Sequence, residues 1–294
     1  MKEIPFVDTH VHFWERPHPE LTWYWLEPDF DHPLLGNIPL LKSLKVFTAA
    51  EFAAEAADSN VSKVVHIQAA IGTGDPVLET KWLSAMAEEK GQPAAIVGDA
   101  RLQHTDVEGV IERHTEYPLF RGLRDFGEGD YLSDPAFHRG YALLAKYNLV
   151  FDMDVHYENM HKAAALAAKN PDIPLIIDHA GFPLDRTAEY FYHWRKGMVQ
   201  FADMDHVVIK ISGLGMGDQI YGRNWTLETI RPWVETCIEI FGTDRSFFGT
   251  NWPVDKMYST YGELINAYRE LISGYSEAEK QALFSGNAER VYRI

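Results

Sequence analysis

Apolar and polar positions along the chain follow two alternating rhythms. Eight short runs rich in β-branched and aromatic residues read as strands: "IPFVDTHVHF", "SKVVHIQAA", "AAIVGDARL", "LFRGLRDF", "LVFDMDVH", "PLIIDHAG", "HVVIKISGL" and "SFFGTNWPV". Between them lie stretches with helical apolar spacing, such as "TAAEFAAEAADSN", "PVLETKWLSAMAEEKG", "DPAFHRGYALLAKYN" and "TLETIRPWVETCIEIFG". Several open at Ser, Asp or Thr and close at Gly or Asn, as helix ends do. A strand-then-helix alternation demands a parallel sheet, because parallel neighbours need a crossover connection, and eight such units close most naturally into a (β/α)8 TIM barrel of class α/β. A doubly wound open sheet is the competitor, but no G-x-G-x-x-G follows any strand. The economical reading is one domain over residues 1–294.

Two stretches break the rhythm. Residues 15–47, rich in Pro and aromatics, are too long for an ordinary connection and read as an extended loop folded over the barrel mouth after strand 1. Residues 213–225, "GLGMGDQIYGRNW", are glycine-rich after the seventh strand. The chain finishes on "EAEKQALFSGNAERVYRI", read as a closing C-terminal helix.

Composition narrows the functional classes. With 43 acidic against 27 basic residues the formal net charge is -16, which repels nucleic acid and anionic membranes at long range, so neither is an expected partner. The lone Cys237 removes any disulfide framework or cysteine-based zinc site, and its apolar neighbours read as packing. The N-terminal "MKEIPFVDTH" shows no signal-peptide pattern and no run is long enough to span a bilayer, which gives a cytoplasmic expectation.

Candidate chemistry gathers where the strands end, and a barrel of this kind works at the C-terminal ends of its strands. His10 and His12 close the first strand; with period two their imidazoles share a face, about 6 to 7 Å apart along the strand. His66 and Gln68 follow on the second strand, Arg101, Gln103 and His104 on the third, Arg121, Arg124 and Asp125 on the fourth. Asp152, Asp154 and His156 end the fifth, Asp178 and His179 the sixth, Lys210 and Ser212 the seventh, Asn251 the eighth. An apolar core has no use for so many polar groups. Arg121 and Arg124 fall on opposite faces, so only one of them enters the mouth. Trp25 and Trp252 read as walls of the pocket, with Trp23 and Met216 on loops that set the substrate.

In order along the chain, "VDTHVHFW", "FRGLR", "IIDHAGFP", "IKISGL", "FFGTNWPVD" and "LFSGNAERVYRI" resemble the amidohydrolase superfamily of the amidohydrolase-2 type. The likeness is narrowest to its lactonase branch, which includes sugar acid lactonases and 2-pyrone-4,6-dicarboxylate lactonase. It implies a hydrolase that opens a small carboxylated or sugar acid lactone by water attack, with His10, His12 and His179 as the corner that polarises the carbonyl. If that corner holds a mononuclear metal, zinc is the expected ion and these three are its ligands; lactonases of this branch that work without metal leave the histidines to act directly. "FRGLRDF" carries arginine where binuclear members carry a bridging lysine, which argues against a two-metal centre.

The resemblance breaks on the eighth strand. Relatives commonly place there an aspartate that acts as general base; this chain has Asn251, and an amide takes no proton at pH 7. Asp255 is the nearest carboxylate in the chain and the expected substitute, with Asp178 and His156 as alternatives. Gln68, Arg124, His156, Lys210, Trp25 and Trp252 are expected to contact substrate, Arg124 and Lys210 as cations for an anionic group. Non-oxidative decarboxylation on the same scaffold and a non-catalytic ligand-binding descendant are the rival functions, and a homo-oligomer is left open by the sequence.

Overall fold

The computed structural model describes residues 4–216 and 225–294. Eight parallel strands pair in sequence order: β1 (Phe6–Val11), β2 (Val61–Ile67), β3 (Ala95–Gly98), β4 (Phe120–Arg124), β5 (Val150–Met153), β6 (Leu175–Ile177), β7 (Val207–Ile211) and β8 (Ser246–Phe248). These are the eight apolar runs of the sequence, each shorter than the run that announced it because the polar ends leave the ladder to enter the mouth. Nearly all their residues are buried, as strands covered on both faces require. A seam between β1 and β8 closes the cylinder: the His12 amide donates to the Trp252 carbonyl at 2.8 Å and the Thr9 hydroxyl to the Phe248 carbonyl at 2.8 Å. The buried Asp8 carboxylate stitches that seam, accepting from the Thr250 amide at 2.9 Å and from the Tyr261 hydroxyl at 2.8 Å.

Eight helices wrap the strands: α1 (Ala49–Glu55), α2 (Val77–Lys90), α3 (Val107–Thr115), α4 (Pro135–Lys146), α5 (Met160–Lys169), α6 (Ala188–Met198), α7 (Leu227–Phe241) and α8 (Tyr261–Leu271). Thr48, Thr226 and Thr260 open α1, α7 and α8 with reciprocal capping boxes, which is why those helices begin where they do. The C-terminal segment folds as two short helices, Glu277–Gln281 and Asn287–Tyr292, joined by a wider turn at 282–286. It plugs the barrel floor: Ala288, Val291 and Tyr292 pack with Val7, Val97, Val150, Ile176 and Phe247.

The loop after β1 crosses the opposite end. Trp14–Glu15 pairs antiparallel with Val46–Phe47, and the Arg16 guanidinium donates to the Leu26 and Lys42 carbonyls at 2.7 Å each, pinning the loop's two limbs together. Part of the second irregular stretch, residues 217–224, lies outside the described residues. No helix among the described residues is long and apolar enough to cross a membrane.

Candidate active site

Under period two, alternate residues of a barrel strand face inward. That parity sends Val150, Asp152 and Asp154 up the inside of β5, and Val208, Lys210 and Ser212 up β7. On β4 it turns Arg124 into the mouth, while Arg121 faces out, its Nε donating to the Arg293 carbonyl at 3.4 Å. The interior is therefore layered: aliphatic at the floor, ionic in the middle, and open above.

The ionic layer is fully buried. Lys210 Nζ reaches Asp178 Oδ1 at 2.9 Å and pairs more closely with Asp152, whose Oδ1 also accepts from the Tyr292 hydroxyl at 2.8 Å. Burial pushes the Asp178 carboxyl up, but Lys210 and His10 more than offset it and hold the group well below the usual carboxylate range. Asp152, sharing the same ammonium, is pushed up to about 7 by burial. His10 lies in this layer too: its Nδ1 is 3.7 Å from Asp178 Oδ1 and 3.5 Å from Lys210 Nζ, and its Nε2 is 3.5 Å from Arg124 Nη1.

Above it opens a cavity of about 120 Å³ whose wall includes His12, Gln68, Arg124, Asp154, His179 and Asn251, with Trp25, Leu34, Leu35, Phe126, Phe182 and Met216 supplying apolar surface. His12 Nδ1 lies 2.9 Å from the Ile67 carbonyl, an acceptor only, so Nδ1 carries the proton and Nε2 keeps a lone pair. Burial, with help from Arg124, takes this imidazole down to about 3, and burial takes His179 to about 3 as well, so both rings are neutral at pH 7. His179 Nδ1 is oriented by the Ser212 hydroxyl at 3.0 Å. The backbone that presents it is left-handed at His179, Ala180, Gly181 and Phe182, with φ near 52° to 67°. Runs of this kind cost conformational energy and are retained where a site needs a particular orientation. Asn251 is also left-handed, φ 59°, a region Asn tolerates better than most side chains.

Arg124 Nη2 donates to the Gln68 carbonyl at 2.9 Å and to its Oε1 at 3.3 Å, and Nη1 sits 3.9 Å from both Asp154 Oδ1 and Asp178 Oδ2. The strand end that carries Gln68 is fixed by Glu79 of α2, whose buried carboxylate accepts from the Ala69 and Ala70 amides at 2.9 and 2.8 Å.

Several expectations are corrected by these placements. His10 does not reach the cavity wall; it lies underneath, its ring 4.9 Å from that of His12 and 4.4 Å from that of His179, and meets Arg124 and Asp178 beside them. Lys210 is buried and matched by two carboxylates, so it has no free face for a substrate anion. Trp252 points outward, its indole donating to Glu55 at 2.9 Å beside Tyr261. Asp255 is fully buried with both oxygens occupied, by Asn251 Nδ2 at 3.0 Å and the Gly215 amide at 2.9 Å, and burial raises it to about 8. It is thus an orienter of Asn251, neutral for the most part near pH 7, and no base for a water in the cavity. His156 stacks on Phe182 at 4.7 Å and lines an adjoining chamber of about 300 Å³ instead. Trp25 does border the cavity, its indole anchored on the Ala69 carbonyl at 2.8 Å.

The three histidines do come together, the His10 ring lying 4.9 Å from that of His12 and 4.4 Å from that of His179. Among the described residues no three His, Cys, Asp or Glu side chains converge as a cation would require. The Arg124 guanidinium stands 3.5 Å from His10 Nε2.

The sequence placed Asp154 with Asp152 among the polar strand ends but assigned it no role in the site. It also had no signal for Leu34, Leu35 and Phe182, whose place in the wall depends on how loops fold back.

The amidohydrolase family model, Amidohydro_2, matches residues 7–294. The uncharacterized protein y4mH of Sinorhizobium fredii is 36% identical over the whole of both chains. An L-fucono-1,5-lactonase of Burkholderia multivorans is 30% identical, covering 98% of this chain and 96% of that protein. A crystal structure of a Burkholderia multivorans amidohydrolase with bound zinc superposes with a TM-score of 0.83 at 25% identity, covering 99% of each chain. A barrel with this polar mouth, a family model spanning nearly all its length and lactonases among its relatives together mean that the chain belongs to the amidohydrolase family, in its lactonase branch.

Proposed function

We propose that the protein hydrolyses a neutral, hydroxyl-rich lactone of the sugar acid type. The observation that carries this reading is the charge balance at the mouth. Two cations, Arg124 and Lys210, stand among three carboxylates, Asp152, Asp154 and Asp178, so the described residues leave no surplus positive charge for a substrate carboxylate. An anionic ligand would enter a site whose cations are already matched, on a protein of net charge -16. A neutral ring bearing hydroxyls meets none of that repulsion and finds polar partners in Gln68, Asp154 and Asn251. The L-fucono-1,5-lactonase relative supports the same substrate class.

In this reading the lactone carbonyl oxygen lies against Arg124, whose fixed donors stabilise the charge that develops as water adds. One such donor is worth roughly 2.7 to 4 kcal/mol in characterised enzymes. His12, with its Nε2 lone pair, and Asn251 hold the attacking water. Apolar walls from Trp25, Phe126 and Phe182 exclude bulk solvent and strengthen these interactions.

The test is proton release on ring opening, measured across neutral 1,4- and 1,5-aldonolactones, 2-pyrone-4,6-dicarboxylate and hydroxybenzoates. Turnover confined to neutral lactones is expected. Preference for a dicarboxylated ring, or release of carbon dioxide from an aromatic acid, overturns the reading.

A further inference from the structure

The chemistry needs a proton carrier, and the residue types at the mouth narrow the choice to one. Asp154 is the single carboxylate among the described residues lining the cavity. Asn251 cannot accept a proton, Asp255 has both oxygens engaged and does not line the cavity, the His32 Nδ1 already accepts from the Leu34 and Leu35 amides at 3.1 Å and burial lowers the proton affinity of that ring, and the imidazoles of His12 and His179 are held neutral, with little basicity left. Asp154 Oδ1 has no hydrogen-bond partner, and the side chain is 22% exposed, enough to meet a ligand. It borders both the cavity and the adjoining chamber, so water arriving from that chamber passes it.

We propose that Asp154 is the catalytic proton carrier: it takes a proton from the attacking water and returns it to the ring oxygen as the acyl C–O bond breaks. The role rests on the lactonase reading above. In the first step the water oxygen bonds to the carbonyl carbon, one water proton passes to the Asp154 carboxylate, and the carbonyl pair moves onto the oxygen beside Arg124. In the second that pair returns, the ring C–O bond cleaves, and the leaving oxygen takes the proton from Asp154. The products are an open hydroxy acid and a regenerated carboxylate, so atoms and charge balance.

Its electrostatic surroundings suit both halves of the cycle. Burial raises its proton affinity, Arg124 and Lys210 lower it, and Asp178 raises it again, leaving the carboxyl at about 7. The Tyr131 hydroxyl lies 3.4 Å from its backbone carbonyl, and the imidazoles of His32 and His156 line the adjoining chamber with it while those of His12 and His179 line the cavity. A carrier near the working pH accepts and donates with comparable ease.

The experiment compares wild type with Asp154→Asn on a neutral lactone that the wild type opens. Asn keeps the shape and removes the titration. Expected are a kcat lower by about 10²- to 10⁴-fold, a KM changed by less than threefold, and loss of the acid limb from the pH profile of kcat/KM. Retention of kcat within threefold, or of that limb, overturns the role; a residue that only positions Arg124 would leave the limb in place. Should Asp154→Asn fail to fold, Asp154→Ala with added formate reads the same quantity: restored turnover supports the role and its absence overturns it. A wild type inactive on every lactone overturns the functional reading and this role with it, whereas an active wild type beside an unimpaired Asp154→Asn overturns this role alone.

Discussion

Arg124 meets four groups at once, and that crowding defines its part. Gln68 takes one arm of the fork, while His10, Asp154 and Asp178 stand around the other. A lysine could supply the charge but not two arms in fixed geometry. Arg124→Lys is therefore expected to reduce kcat on a neutral lactone by about 10²-fold with a smaller change in KM; steady-state kinetics reads this, and an unchanged kcat contradicts it. The inward turn of Arg124 and the outward turn of Arg121 were legible from their spacing on one strand. So was the shared face of Asp152 and Asp154. What the spacing of His10 and His12 could not show is depth. The pairing of β1 with β2 shifts register between Asp8 and Val11, and although the two rings stay edge to face at 4.9 Å, one sits in the ionic layer and the other in the cavity wall. Likewise Lys210 was legible as inward-facing, but its two carboxylate partners come from β5 and β6, and no local pattern reports contacts over such separations.

At the scale of elements, the mouth is held open by backbone as much as by side chains. Gly213, at the end of β7 with φ +66°, lies so close to His179 that an added methyl carbon would be 2.6 Å from its Nδ1, the atom that meets Ser212. Gly213→Ala would also strain a left-handed backbone by about 1 to 2 kcal/mol. We expect it to displace the imidazole and lower kcat at least tenfold while the far-ultraviolet circular dichroism stays that of a folded barrel. Wild-type kcat in this variant would show that the orientation of His179 is not needed. The eight strands and most helices were readable because each buries a strongly apolar run or starts at a side-chain cap. The use of each loop was not. Residues 15–47 bring Trp25, His32, Leu34 and Leu35 to the cavity, and their placement depends on the Arg16 and Trp14 anchors to distant carbonyls.

For the molecule as a whole, burial of many titratable groups sets a stability optimum in pH. Five buried histidines, His10, His12, His66, His114 and His179, are held below their ordinary value, with His114 at about 4. The folded protein binds fewer protons than the unfolded chain at these sites, so their contribution is complete above about 6.5 and is lost as pH falls. Buried carboxyls act in the opposite sense: burial raises Asp8 and Asp99 to about 6, Glu79, Asp152 and Asp154 to about 7 and Asp255 to about 8. There the folded state binds more protons than the unfolded chain, so stability declines as pH rises from their unfolded values through these folded ones. Above the histidine range only the carboxyls still titrate, and the decline continues to about pH 8. Thermal unfolding across pH should show Tm highest at about pH 5 and falling from there to pH 9; a Tm that rises steadily from pH 6 to pH 9 would contradict the assignment of neutral buried carboxyls.

The whole-molecule charge and the matched cations at the mouth converge on one claim, that this barrel takes a neutral ring. It is tested most directly by kcat/KM for two lactones of one sugar acid that differ only at the terminal carbon, a hydroxymethyl group in one and a carboxylate in the other. The account predicts that the hydroxymethyl lactone is preferred by at least about 10²-fold, the scale of leaving one charge without a partner in a buried site. Equal values, or a preference for the carboxylate, would contradict it.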